Sequence, residues 1–513
     1  MKRDLTLLFL LSSLLWGFNF SHLFKKPNSR LKVICDENKE KIYLDDKFKT
    51  ECSDGDEIFL VMYEGEHTLV VKTEPSKEHS YYYFETKFKI GDGVEKTIKV
   101  NTKKYYTKQF FIENAKKSLA YKFLYLENYP NDSFAQQIRK KLKGTWQKTF
   151  TKNVIPVKII ATNEENFIIL GTFNIYNKNS KKYIVVNKID KNGNLLWTKN
   201  FKSKNDLYAK AIYKTKNNNF IIIGEIKDLN NISTIYILKI DENGNKIWEK
   251  TIKTIFKADR NNPYSLKYSK QTKDENVLII FETQQYHTKI NKINVTNGKT
   301  IWSYDFYGED PYDIKEIKDK DYLVINRYDI LEINYNKPIY KKWRDGKSYL
   351  TYKVWEKSIK LESDFATSVL TKIITFFIIN NNEFIQIIEP DKSYEIAKIT
   401  KFDKDSKILW KKIIKVPELM DRDMWLFDEP KITSYTKVKD GILFSAGPGY
   451  DPYLFKIDNN GNVVWNSMLC INHTCKVNSI LPIKDGVVVS GTKDDKLWVM
   501  KIDANLLNKL MEK

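Results

Sequence analysis

The stretch KIDKNGNLLW at residues 188–197 returns as KIDENGNKIW at 239–248, KINVTNGKTIW at 292–302, KFDKDSKILW at 401–410 and KIDNNGNVVW at 456–465. Each copy reads as a strand, a tight turn and a second strand. Asp bonds its own backbone ahead, and Asn-Gly supplies the positive φ that a short hairpin needs. A degenerate copy, EINYNKPIYKKW, occupies 332–343, and KIDAN at 501–505 stops before any Trp. Upstream of the copies lie further apolar strands, such as FIILGTF (167–173), FIIIGEI (220–226), YLVINR (322–327), EFIQIIE (383–389) and GVVVSGT (486–492). Before these comes one more strand, ending in a polar turn such as NEEN or NNN. Four short strands in each of several consecutive units define the blades of a β-propeller.

The tryptophans set the expected count. Trp146 in GTWQKTF matches Trp197 in LLWTKNF although no KID strand precedes it, whereas the last KID has no Trp after it. Ring closure accounts for both: an outermost strand around 146–150 completes the last blade by pairing with 497–503 and leaves no open edge. Trp146, Trp197, Trp248, Trp302, Trp343, Trp410 and Trp465 then predict a seven-bladed β-propeller over residues 144–513, each Trp wedged as a packing residue between blades. The spacing is 41 residues before Trp343 and 67 after it, which predicts a trimmed unit beside one with an insertion near 344–368. The motif resembles the tryptophan-docking repeat of the PQQ-like (quinoprotein-type) β-propeller superfamily, in which Asp or Asn, then Gly, then Trp four residues later recurs in each blade. Asn294, Gly298, Lys299 and Trp302 fit it best. The other intact copies are one residue shorter between Asp and Gly, so the resemblance is to the repeat class rather than to its enzymes.

The chain opens with Lys2 and Arg3 before an apolar run at 5–18, the order of a secretory signal over residues 1–21. The run is short for a membrane span of about 20 residues. No clean cleavage site follows, so an uncleaved N-terminal anchor is the alternative. Cys35 with Cys52, and Cys470 with Cys475, read as two local disulfides in an exported chain, against free buried thiols. Residues 31–104 alternate as a small β-sandwich. Its IYLDDKFKT and YEGEHTLVV resemble the PEGA module of envelope proteins, with Asp46 where Gly is usual and Tyr63 and Glu66 replacing the name-giving Pro and Ala. Residues 105–143 carry apolar positions three and four apart on either side of Pro130-Asn131-Asp132, which predicts a helical hairpin linker. The expected fold is therefore mainly β: a small sandwich, a helical linker and a propeller.

Composition excludes a disordered or collagenous chain: 42% of residues are hydrophobic and 14% aromatic. The formal charge of +21 rests on lysine, since Arg occurs only at 3, 30, 139, 260, 327, 344 and 422. A dispersed Lys surplus without the Arg fork argues against nucleic acid. His22, His67, His79, His287 and His473 are scattered, and no Walker loop, G-x-G-x-x-G or metal spacing appears. The DxNGN turns at Asp190, Asp241 and Asp458 place Gly fourth rather than sixth, unlike a calcium loop. No catalytic residue, metal or cofactor is expected.

Strand order puts the blade-to-blade crossings and the loops between second and third strands at one end, where the long aromatic and acidic segments fall. The expected binding residues are Arg260, Tyr264, Asp310, Tyr312, Trp425, Asp428, Tyr450, Asp451 and Tyr453, since aromatics with carboxylates suit sugars or peptide segments. The expected role is a non-catalytic extracytoplasmic binding or scaffold protein, in the periplasm or at the cell surface, taking a protein or glycan (polysaccharide) partner of the cell envelope. The competing readings are a quinoprotein-type oxidoreductase or other propeller enzyme, and an outer-membrane protein assembly scaffold.

Overall fold

The structure, a computed structural model, describes residues 26–511 except 175–179, 229–231, 258–265, 285–286, 308–312, 319–320, 326–328, 335–337, 343–347, 353–356, 359–372, 379–382, 389–394, 404–406, 416–430, 448–451 and 472–474. The chain divides into two compact units, one running to residue 128 without 118–120, the other formed by 118–120 and 129 onward.

In the first unit, Ser29–Ile34 pairs with Glu57–Met62 on one side and, in parallel, with Glu95–Lys99 on the other. A second sheet has the order Lys47–Cys52, Glu40–Leu44, Gly65–Lys72, Ser80–Ile90, Lys103–Tyr106. Alternate residues share a face of a strand. Leu31 and Val33 from one sheet therefore meet Ile42, Leu44, Leu69 and Val71 from the other in a single core. The two-residue turn Asp45-Asp46 has φ of 50° and 62°, the primed hairpin geometry, with Asp in place of the usual Gly. Asp45 is held there by Thr68 N–H (2.9 Å) and by His67 Nδ1 (2.7 Å). The Cys35–Cys52 disulfide, with Cα atoms 6.5 Å apart, ties one sheet to the other, as its sequence position suggested.

The helical region departs from the expected pair. Three helices form, Lys108–Lys117, Leu119–Asn128 and Ser133–Lys141, because Ser118 interrupts the first segment. Serine favours local backbone bonding over the helix interior, and Lys116 and Lys117 complement the carbonyl end just before it. The third helix starts where Asp132 accepts from Ala135 N–H at 2.7 Å, an N-cap. The residues of these helices are divided between the two units.

Among the described residues of the second unit, seven four-stranded antiparallel sheets follow one another. Their first strands are Val154–Ala161, Asp206–Lys214, Leu266–Gln271, Asp313–Lys318, Ile373–Ile378, Lys431–Val438 and Cys475–Ile483. Six take their strands in chain order. In the seventh, Cys475–Ile483, Gly486–Lys493 and Lys496–Asp503 are completed by Trp146–Lys152, with Lys501 opposite Trp146. Ring closure by the early strand is thus as the orphan Trp146 implied.

The apolar second strands explain how the sheets stack. Ile168 and Leu170 pack toward the second sheet, while Phe167 and Ile169 pack toward the seventh. Both faces are covered, so the strand reads as a continuous apolar run instead of an alternating one. Shared cores also join the second sheet to the third, the third to the fourth, and the fifth to the sixth. First strands lie beside one another from the fourth sheet to the fifth and from the sixth to the seventh, completing the circuit. This is a β-propeller with the first strand of each sheet innermost.

Trp146, Trp197, Trp248 and Trp410 each seat on a glycine turn of the following sheet. Trp146, Trp248 and Trp410 donate Nε1–H to the carbonyls of Lys191, Thr296 and Asn459, each at 3.1 Å. Beneath the rings lie Gly193, Gly298 and Gly461, at φ of 82°, 71° and 80°. An added Cβ would come within 2.8, 3.0 and 2.7 Å of the respective indoles, so glycine is required for both backbone and space.

The degenerate copy is corrected. Asp329–Asn334 pairs with Lys357–Ser358, not with the segment before Trp343, while Pro338–Lys342 and Ser348–Tyr352 form a separate hairpin. The turn there has no Asn-Gly, and Pro338 brings no N–H, so nothing directs the expected hairpin. Trp343 itself lies outside the described residues.

Candidate binding face

In an antiparallel meander the first-to-second and third-to-fourth turns share one end, and the second-to-third loops and crossings share the other. The loops expected to bind sit at the crossing end. Of the residues singled out there, Arg260, Tyr264, Asp310, Tyr312, Trp425, Asp428, Tyr450 and Asp451 lie outside the described residues. Tyr453 is described, and its ring packs between the fifth and sixth sheets, 3% exposed and 6.0 Å from Phe455. The Cys470–Cys475 disulfide lies in the crossing from the sixth sheet to the seventh.

At this same end the first two sheets assemble a group that sequence reasoning did not single out. Tyr208, near the start of the second sheet's first strand, has Lys182 Nζ donating to its Oη at 2.9 Å. Lys227 Nζ lies 5.3 Å from the centre of its ring, within cation–π range. Asp206 accepts from Lys182 N–H at 3.1 Å and lies 3.9 Å from its ammonium. Deeper in, Lys210 pairs with the fully buried carboxylate of Glu225 at 3.2 Å. Beside them Lys202 stands 5.0 Å over Tyr183, whose ring stacks on Phe173 at 4.6 Å. Lys181 and Lys204 extend the patch, linked by a 3.0 Å bond from the Lys181 ammonium to the Lys204 carbonyl.

Cations outnumber carboxylates in this group, and its electrostatics reflect that. Burial lowers the Lys210 pKa, with Glu225 opposing the shift. Burial also lowers Lys227, Glu225 again opposes, and the neighbouring Lys210 and Lys182 push it further down. Such a surface lowers its own repulsion by taking up an anion. The sequence signal was present in KKY at 181–183 and DLYAK at 206–210, but only the fold brings third strand and next first strand together.

The DxNGN turns are closed on themselves. Asp190 Oδ1 accepts Asn192 and Asn194 N–H at 2.9 and 2.8 Å, and Oδ2 accepts the Asn194 amide at 2.8 Å. Asp241 and Asp458 repeat the pattern. Burial alone would raise these carboxyls, but the bonds they accept hold all three below the ordinary range. Among the described residues, Cys35, Glu40 and Cys52 cluster as metal ligands would, yet both sulfurs are committed to the disulfide. Among the described residues no helix is long and apolar enough to cross a membrane.

No family model and no curated protein matches the chain. Among solved structures, the β-propeller domain of the Trilobed protease from Pyrococcus furiosus, described as having an open velcro topology, is similar at 12% identity and a TM-score of 0.36, covering 69% of this chain and 96% of that one. The WD40 β-propeller domain of Doa1 is similar at 10% identity and a TM-score of 0.41, covering 71% of this chain and 99% of that one.

Proposed function

We propose that this chain is an exported, non-catalytic binding protein. In this reading a seven-bladed ring of the PQQ-like repeat class presents its crossing face to a negatively charged protein or glycan of the cell envelope, and a PEGA-like domain attaches it there. The observation that carries the proposal is the lysine and tyrosine patch around Tyr208, where cations outnumber carboxylates beside half-buried aromatic rings. Two disulfides support an oxidising, extracytoplasmic compartment.

The test is capture from envelope fractions by the immobilised full chain. Lys182→Glu with Tyr208→Ala, and separately Trp425→Ala with Tyr450→Ala, should each reduce capture while the melting temperature holds. Undiminished capture by both double variants would overturn the assignment of this face.

A further inference from the structure

In the first unit, Glu57–Met62 pairs with Ser29–Ile34 and with no other described strand, so one of its edges is open. Arg30 N–H and Ile34 C=O bond away from it, to Val94 and Val100, whereas Cys35 N–H bonds toward it, to the Asp56 carbonyl. Backbone direction alternates along a strand. Leu31 and Val33 therefore bond to Leu60 and Ile58, and the N–H and C=O groups of Phe59 and Val61 point to the open edge, without a partner among the described residues. The same strand leaves apolar side chains uncovered. Phe59, Val61 and Tyr63 are 53%, 55% and 53% exposed on the outer face, while Leu60 and Met62 enter the core.

Sheet edges are ordinarily guarded by charge, proline or a bulge. The other edges of this unit are guarded by Lys47, Lys49 and Glu51, by Lys103 and Lys104, and by Glu95, Lys96 and Lys99. From Ile58 to Tyr63 there is no charge and no proline, and the register with Ser29–Ile34 is unbroken. The segment is also complementary to itself. In an antiparallel pair with its own copy, turned about Leu60, Phe59 lies opposite Val61 of the copy, so both exchange backbone bonds and a large ring meets a small side chain. Glu57 of the copy then lies two strands across and two residues along from Arg30, about 12 Å between Cα atoms, a span that the two extended side chains bridge over Val61. Arg30 is exposed and has no ion pair among the described residues. Glu57 holds Lys32 of its own chain through Oε1 at 2.7 Å, which leaves Oε2 for the arginine. Any added strand would satisfy the backbone, but the copy also supplies the matching apolar face and the acid. We propose that Glu57–Met62 joins its counterpart in a second copy of this chain, merging two three-stranded sheets into one across a twofold axis.

Light scattering of the full chain over a concentration series should show the mass rising from 60.6 kDa to twice that and no further, because a twofold pair uses up the edge. Phe59→Lys, at an exposed position, should hold the chain monomeric with an unchanged melting temperature. Arg30→Glu and Glu57→Arg should each weaken self-association about tenfold or more, since either one sets like charges against each other on both sides of the axis. Mixed in equal amounts, these two variants should pair about as tightly as wild type, because every such contact is then between opposite charges. The edge shares no residue with the crossing-face patch, and the mass measurement needs no envelope ligand. A monomer at every concentration, growth beyond the dimer, association indifferent to Phe59→Lys, or a mixture no tighter than either variant alone would overturn the proposal.

Discussion

Replacing Gly193 by Ala tests the seating of Trp146 and, with it, the closure of the ring. Gly193 sits at φ of 82°, and a Cβ there would lie 2.8, 2.9 and 3.0 Å from three atoms of the Trp146 six-membered ring. The left-handed conformation costs Ala about 1 kcal/mol. Forcing a methyl into an occupied contact costs about 1–3 kcal/mol more. Both terms act against a strand that pairs with Lys496–Asp503 and whose indole donates to the Lys191 carbonyl. Gly193→Ala should therefore destabilise the propeller by about 2–4 kcal/mol. The decisive measurement is a double-mutant cycle by urea unfolding. In a Trp146→Ala background the steric term has no partner, so only the conformational cost of about 1 kcal/mol should remain. Additive costs, with no coupling between the two substitutions, would refute the claim that the ring rests on this glycine.

Two further predictions concern buried charge. Glu40 is fully buried beside the Cys35–Cys52 disulfide, and burial pushes its carboxyl up to about 7 from an ordinary 4.5. Below 4.5 it is protonated folded and unfolded; as pH rises from 4.5 to 7 the unfolded chain loses the proton first and stability falls by about 3 kcal/mol. Glu40→Gln should match wild type at pH 4 and exceed it by about that amount at pH 8, and equal stability at both values would count against burial of the charge. Asp274 pairs at 2.8 Å with Lys292, whose side chain is only 5% exposed, and although burial opposes it, the bond from Lys292 helps lower the Asp274 carboxyl to about 2. Because Asp274 is itself half exposed, Asp274→Asn should cost about 1 kcal/mol at pH 7. That cost should vanish as pH falls from the ordinary 3.8 toward 2, where the wild-type carboxyl is protonated too; a pH-independent deficit would show that the ion pair contributes nothing.

Those pairs show what the sequence made legible and what it concealed. Hairpins with Asn-Gly were readable because positive φ is written in residue type, and closure was readable because Trp146 lacked its own KID. The degenerate copy was misread where that chemistry lapses, at Tyr335-Asn336-Lys337-Pro338. Lysine was harder. Its excess looked like dispersed composition, yet the KID lysines Lys292, Lys401, Lys456 and Lys501 reach back to Asp274, Glu383, Asp440 and Asp485 at 2.8, 3.1, 2.5 and 2.6 Å. For Lys456 and Lys501 the acid lies 16 residues earlier, a spacing that periodicity within one strand cannot reveal because it joins a turn to the third strand across the sheet. The Tyr208 patch was hidden for a related reason, since its residues come from two sheets.

Closing the ring with an early strand also has a local consequence that follows from connectivity alone. A sheet that borrows its fourth strand cannot have a third-to-fourth hairpin, so the Trp of the sheet before it loses its cap. The third sheet faces a similar loss, because the fourth lacks an Asn-Gly turn, but there Trp302 packs against Tyr322 with ring centres 5.6 Å apart and is 6% exposed. A side chain has taken the place of the turn. At Trp465 the replacement is the helix Ala504–Met511, which packs against the strand Val463–Met468, and the indole is 4% exposed. Both indoles stay buried although the turn is gone, so what covers a repeat Trp is set by whichever element the connectivity brings beside it, a side chain at Trp302 and a helix at Trp465.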